Sequence, residues 1–240
     1  MTLLATKGLT KHYSGLTAVA DVDFELPEGQ IRALIGPNGA GKTTFVGMLS
    51  GRIESSSGTV IFNNEDVTGL PAHQRISLGM AYTFQITSIF AKLSVHENVA
   101  LAARRGRKKS DTQTVEQRVS AALAKVDLSD RSEQIAGDLS YGHQRLLEIA
   151  MGLVQSPRLF ILDEPTQGLS STEIDSFVTL IKSLVGSTTI LLIEHNMDVV
   201  MAAADYITVL NFGEVLAEGT PESIRANQEV QAAYLGASNA

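Results

Sequence analysis

The chain has no cysteine among its 240 residues. That absence excludes a disulfide framework, a cysteine nucleophile and cysteine-ligated zinc or iron–sulfur sites. No stretch approaches the about 20 apolar residues that span a bilayer. The start, Met1-Thr2-Leu3-Leu4-Ala5-Thr6-Lys7, lacks a charged segment followed by a long apolar one, so no signal peptide is expected. Excess positive charge is missing too. Lys and Arg number 19 against 26 Asp and Glu, a formal net charge of −7, which argues against bulk nucleic-acid binding. There is no low-complexity linker and no internal repeat. What remains is an ordinary globular balance, 44% hydrophobic and 19% charged. It is long enough for one large domain or two small ones with a core that needs no staple. These numbers point to a soluble, cytosolic, globular chain.

Residues 1–30 read as short extended pieces around turns, ending at the turn Pro27-Glu28-Gly29. The apolar run Ile31–Ile35 then enters a glycine-rich loop, and from Thr43 the spacing of Phe45, Met48 and Leu49 predicts a helix that Gly51 stops. Gly58–Val67 reads as a strand pair. Ser94-Val95-His96-Glu97 has the form of a capping box opening a helix to about Arg105. Val115, Val119, Ala122, Leu123 and Val126 follow a helical period, and Leu146, Leu147, Ile149 and Ala150 begin a further helix. Leu159–Leu162 and Thr189–Ile193 read as buried strands. Between them Ser170-x-x-Glu173 caps a helix with Ile174, Phe177, Val178, Ile181 and Val185 on one face. Such alternation implies a parallel sheet covered on both faces. Tyr206–Asn211 and Glu214–Glu218 form a hairpin around Phe212-Gly213, and Thr220-Pro221-Glu222 starts the last helix.

Gly36-Pro37-Asn38-Gly39-Ala40-Gly41-Lys42-Thr43 fits G-x-x-x-x-G-K-[ST], with Thr44 following on the helix. Glycines let the backbone curl so that successive N–H groups face phosphate oxygens, and the helix N-terminus adds partial positive charge. Lys42 would reach the β- and γ-phosphates, and the Thr43 hydroxyl would ligate Mg²⁺. The strand Leu159–Leu162 delivers Asp163 and Glu164 to the edge where ligands bind in open α/β sheets. Asp163 is expected to hold Mg²⁺ and Glu164 to act as the base that polarises the attacking water. The next strand ends in Glu194-His195, which puts His195 within reach of the same edge and of a γ-phosphate.

These pieces, in this order, resemble an ABC-type ATPase subunit over essentially the whole chain. Leu139-Ser140-Tyr141-Gly142-His143-Gln144-Arg145 looks like the family signature L-S-G-G-Q with Q-x-R. The resemblance implies an α/β fold: a P-loop NTPase core with a mixed or parallel sheet, an N-terminal antiparallel β subdomain, and a helical signature subdomain inserted at about residues 86–157. Residues 1–240 then form a single ATPase domain. It also implies that Ser140 and Gly142 face the γ-phosphate on an opposite subunit, so that two ATP molecules are sandwiched in a head-to-tail dimer. Gln85 matches the glutamine that contacts Mg²⁺ and the attacking water, His195 the switch histidine, and Tyr13 the aromatic that stacks on adenine.

Three positions depart from the family pattern. Tyr141 stands for the first signature glycine, His143 for the glutamine, and Ser170 for the aspartate common in the loop after D-E-P-T. Gly79–Gln85, Glu194-His195-Asn196-Met197-Asp198, Gly219-Thr220-Pro221-Glu222 and Ala233-Tyr234-Leu235-Gly236 look like the importer ATPases for branched-chain amino acids. Similar subunits import urea, short amides or aromatic acids, and some terminal features occur in lipopolysaccharide-exporter ATPases. The resemblance implies two separate transmembrane permease subunits, met through Ile86–Lys92, an extracytoplasmic solute-binding protein acting indirectly, and a place on the cytoplasmic face of the membrane. The second ATPase subunit would be the same chain or a paralogue, and no nucleic acid is expected as partner. The basic run Arg104-Arg105-Gly106-Arg107-Lys108-Lys109 reads as a solvated loop. Soluble ABC ATPases of DNA repair or translation carry coiled-coil insertions or tandem domains that do not fit this length. Asp66-Val67-Thr68-Gly69 matches D-x-x-G, but no N-K-x-D follows, against a GTPase. A small-molecule kinase would need neither the signature nor His195.

Overall fold

A computed structural model describes residues 1–83, 88–105 and 112–236. Two long antiparallel strands open the chain, β1 (Thr2–Tyr13) and β2 (Leu16–Pro27). They are continuous where the sequence suggested short pieces, because register shifts at several points along the ladder absorb the residues that break strict alternation. β3 (Ile31–Ile35) leads through the glycine-rich loop into α1 (Lys42–Leu49). β4 (Ser57–Phe62) and β5 (Glu65–Asp66) join β1 and β2 in a four-stranded sheet of order β2-β1-β4-β5. α2 (Ala72–Ser77) and β6 (Met80–Tyr82) follow.

Helices then dominate, with α3 (Val95–Arg105), α4 (Val115–Lys125) and α5 (Tyr141–Leu153). The box at Ser94 is present in both directions. Glu97 donates its N–H to Ser94 Oγ, and Ser94 donates its N–H to Glu97 Oε2 at 2.7 Å. α5 begins five residues before the apolar spacing signalled it, because Ser140 caps it and its first turn is polar. β7 (Leu159–Asp163), α6 (Ser171–Leu184), β8 (Thr189–Ile193), α7 (Met197–Ala203), β9 (Tyr206–Asn211), β10 (Glu214–Gly219), α8 (Pro221–Ala226) and α9 (Gln228–Gly236) complete the chain. Val185 leaves the predicted apolar face of α6. It sits just past the helix in extended backbone and is exposed, and Leu184 is buried instead.

The second sheet has the order β10-β9-β3-β8-β7-β6, parallel throughout except for the β9–β10 hairpin. Its central strands alternate between two cores. Phe160, Leu162, Ile190 and Leu192 pack with Val99, Leu123, Leu147 and Phe177 from the helices. Leu159, Ile161, Leu191 and Ile193 face Phe45, Met48 and Leu49 of α1 and the antiparallel sheet. Both faces are thus covered, as near-continuous apolar strands require. Each such side chain contributes about 1.5–3 kcal/mol by leaving water. Gly152 of α5 lies so close to the Phe160 ring that a methyl group would overlap it, which lets α5 lie flat on β7.

Candidate nucleotide site

Parallel neighbours end at the same edge of a sheet. Ile193 is paired with both Leu34 of β3 and Asp163 of β7. The loops that leave β3, β7 and β8 therefore emerge side by side, and they carry Gly36–Gly41, Glu164 and His195. One pocket at this edge is lined by Asn38, Gly39, Ala40, Gly41, Lys42, Thr43 and Thr44, by Asp163 and Glu164, and by Leu16, Thr17, Ala18, Ile193 and Phe212.

The phosphate-loop geometry depends on glycine, and Gly39 and Gly41 show it at the turn into α1. Gly39 has φ +80° and Gly41 φ +97°, in the left-handed region that other residues avoid. Gly41 also passes the Ala18 carbonyl too closely for any side chain. No side chain caps α1 and no acidic residue lies in its first turn. A helix start left bare in this way suits an anion, with partial positive charge and N–H groups available to it. Lys42 is folded back on the loop, its Nζ donating to Gly36 O at 2.6 Å and Pro37 O at 3.1 Å. Burial pulls the Lys42 ammonium below its ordinary range, and the charges of Glu164 and Asp163 oppose that pull.

Asp163 is buried at the strand end and accepts a hydrogen bond from the Tyr82 hydroxyl. Burial, and then the charge of Glu164, raise its carboxyl above the usual aspartate range, while the Tyr82 bond works the other way. The Tyr82 phenol is itself held well above its ordinary range, first by burial and then by Asp163. The Arg52 guanidinium lies 3.9 Å from the centre of the Tyr82 ring. A buried carboxylate beside a second one suits a cation. With Thr43 lining the same pocket, the side-chain donors on offer are hard oxygens, which fit Mg²⁺ shared with phosphate. Among the described residues no cluster of three His, Cys, Asp or Glu forms a dedicated metal cage.

Glu164 has φ +47°, a strained conformation for a residue with a side chain. Its N–H donates to Ile193 O at 2.9 Å, which fixes the turn. His195 Nδ1 lies 3.9 Å from Glu164 Oε2. Tyr13 stands beside this group and not in it. It pairs with the pocket residue Leu16 across the β1–β2 ladder and has the Lys11 ammonium 5.1 Å from its ring centre. Ser140 and Gly142 lie elsewhere, at the start of α5. Ser140 Oγ accepts the His143 N–H and shares a hydrogen bond of 2.7 Å with His143 Nδ1. Gly142 packs against Glu173, where a methyl group would overlap the carboxylate. Ser170, the third departure, caps α6 in a complete box with Glu173. Gln85 lies outside the described residues, as do the start of Ile86–Lys92 and most of the basic run after Arg105. Asp66 accepts both the N–H and the hydroxyl of Thr68, so the D-x-x-G match is a local turn.

A family model described as "ABC transporter" matches residues 19–167, more than half of the chain. The chain belongs to the ABC transporter family. A second model, of a branched-chain amino acid ATP-binding cassette transporter, matches residues 214–239. The chain is 38% identical to the high-affinity branched-chain amino acid transport ATP-binding protein BraF of Pseudomonas aeruginosa, over 98% of both chains. It is 39% identical to LivG of Salmonella typhimurium, again over 98% of both. The lipopolysaccharide export system ATP-binding protein LptB of Escherichia coli is 32% identical, over 98% of both. Among solved structures, the ADP conformation of MJ1267, an ATP-binding cassette of an ABC transporter, superposes with a TM-score of 0.88 at 26% identity, covering 98% of this chain and 99% of that one. ABC transporter ATP-binding subunits are ATPases, and this chain is one of them.

Three contributors at or beside the site, and one buried residue behind it, carried no signal in the sequence. Phe212 lines the pocket, Tyr82 bonds Asp163, Arg52 stacks on Tyr82, and Glu194 ties Thr166 to the end of β8, each only through the fold. Phe212 is 86% exposed on the hairpin turn, at φ +46°, with the neighbouring Gly213 N–H bonded to Ala40 O of the phosphate loop.

Proposed function

We propose that this subunit binds ATP with Mg²⁺ and hydrolyses it to drive solute movement through separate transmembrane permease subunits, most closely in the manner of a branched-chain amino acid importer. The observation that carries the reading is the meeting of a bare, glycine-shaped helix start with Asp163, Glu164 and His195 at one sheet edge, in a chain alike to BraF from end to end. The loop Gly36–Thr44 holds the phosphates, with Lys42 turning from its backbone carbonyls to the β- and γ-phosphates. Thr43, Asp163 and Gln85 hold Mg²⁺, which when bound neutralises phosphate charge and aligns the γ-phosphate. Glu164 accepts the proton of the attacking water as that oxygen bonds to the γ-phosphorus and the bond to ADP breaks. His195 donates to the γ-phosphate, and Tyr13 stacks on adenine.

Ser140 and Gly142 do not line the pocket at the loop of their own chain. A second copy or a paralogue placed head-to-tail brings them to the opposite ATP. Residues 1–240 act as one ATPase domain whose helical part, about residues 86–157, transmits closure to the permeases through Ile86–Lys92. The chain works at the cytoplasmic face of the membrane, and an extracytoplasmic binding protein supplies the solute. Among the described residues no helix is long and apolar enough to cross a membrane. The likeness to LptB supports a second reading, an exporter ATPase.

Two experiments test this. Glu164→Gln is expected to bind ATP, lose turnover and accumulate as an ATP-bound dimer; turnover at the parental rate would remove Glu164 from the role of base. Purification from native membranes is expected to bring down polytopic subunits together with a solute-binding protein. Recovery with lipopolysaccharide-handling partners would favour the exporter, and fractionation with ribosomes or DNA would defeat transport altogether.

A further inference from the structure

Glu194 is 1% exposed, at the end of β8 beside His195. Its carboxylate divides its acceptors between two loops. Oε1 accepts the Thr166 N–H at 3.0 Å and the Thr166 hydroxyl at 2.6 Å, on the loop that follows Glu164. Oε2 accepts the N–H groups of His195 at 3.2 Å and Asn196 at 3.4 Å, on the loop that carries the histidine. Four donors from two loops thus converge on one buried group. Removing it would leave buried N–H groups without acceptors, which is costly. Glu194 does not line the nucleotide pocket, although its neighbour Ile193 does.

We propose that Glu194 is a positioning residue. It latches the loop after β7 to the loop after β8, so that Glu164 and His195 hold one fixed relation to the γ-phosphate and the attacking water. The inference rests on the roles given above to Glu164 and His195. Two features favour a side-chain latch beyond the backbone bond from Glu164 N–H to Ile193 O. Glu164 sits in a left-handed conformation that persists only when its surroundings enforce it. The direct contact between Glu164 and His195 is long, at 3.9 Å, and cannot hold them by itself. The carboxylate suits the task chemically, since it is acceptor-only and all four of its partners are donors.

The test compares the parent with E164Q, E194Q, T166V and the double variant E194Q/T166V as full-length protein. Turnover is followed by phosphate release and ATP affinity by MANT-ATP titration. E194Q keeps the volume, but its amide NH2 must face donors on one of the two loops. T166V keeps the shape and removes the 2.6 Å hydroxyl donor. The latch predicts that E194Q lowers kcat by about tenfold or more, since small displacements of reacting groups are expensive. ATP affinity should stay within about twofold, because uniform binding is untouched. The double variant should lose little more than the worse single, as members of one unit do.

Parental kcat in E194Q, with E164Q inactive, overturns the latch and leaves the base assignment standing. Loss of affinity and melting temperature in step with kcat, or multiplicative losses in the double variant, also overturns it in favour of plain scaffolding. Parental turnover in E164Q overturns the base assignment and the latch together.

Discussion

Gly41→Ala, measured beside Gly39→Ala, separates two reasons why a phosphate loop needs glycine. Both positions have positive φ, +80° at Gly39 and +97° at Gly41. A side chain there costs about 1–2 kcal/mol, of which about 0.4–1 kcal/mol is returned by the stiffer unfolded chain. At Gly39 that is the whole cost, because an added methyl group meets nothing within 4 Å. At Gly41 the methyl group overlaps Ala18 O and lies 3.4 Å from both Gly213 Cα and Val19 Cγ2. The two backbone atoms cannot swing aside. The Phe45 N–H donates to Gly41 O, Gly213 is bonded to Ala40 O, and Ala20 is bonded to Gly213 O. Overlap against fixed backbone adds about 2 kcal/mol. The expected losses are about 1 kcal/mol for Gly39→Ala and about 3 kcal/mol for Gly41→Ala, or melting shifts of about 2–4 °C and 6–12 °C for a chain of this size. Thermal and urea unfolding followed by far-UV circular dichroism without nucleotide provides the measurement. Equal losses for the two variants would refute the close-approach argument.

Three further outcomes are expected. The Asp163 carboxyl is raised by burial and by Glu164, so the native state keeps its proton where the unfolded chain has lost it, and stability falls as pH rises from 3.8 through the raised value. Asp163→Asn removes that slope. In EDTA and without nucleotide, this variant should melt above the parent at about pH 8, with the gap closing as the solution is acidified, while ATP turnover is lost; a gap independent of pH would refute the burial argument. Ser170→Ala breaks the capping box of α6 and should cost about 1 kcal/mol in urea unfolding, and no loss would mean that packing alone sets the start of α6. Arg75 is fully buried and donates to the carbonyls of Met48, Leu49, Thr68 and Leu70. Arg75→Met should cost about 1–3 kcal/mol, and a melting temperature at the parental value would show that the freed carbonyls find other donors.

Helix caps and strand ends were legible in the sequence because their chemistry is local. Ser94, Ser170 and Thr220 cap their helices through bonds spanning three residues. The phosphate loop was legible for the same reason, and so were Asp163 and Glu164 at the end of an apolar strand. Partnerships across large sequence separations were not legible. Tyr82 meets Asp163 81 residues away. Arg75 closes the end of α1 from 26 and 27 residues away, where that helix has no basic residue of its own. Glu194 binds Thr166 28 residues away, and nothing in Ile193-Glu194-His195 marks the glutamate as more than a neighbour of the histidine.

The sequence by itself determined the elements and the types of chemistry. Unbroken apolar runs marked β7 and β8 as buried strands, the glycines of the phosphate loop marked where that loop takes positive φ, and capping side chains marked most helix starts. Only the tertiary structure decided which of those chemistries act together. Parallel pairing of β3, β8 and β7 brings three loop ends to one edge, and the pocket there does not include Ser140 or Gly142. The physical reason is that bonds within a turn are written in neighbouring residues. Strand order and buried side-chain bonds between distant loops depend on how the whole sheet closes over its two cores.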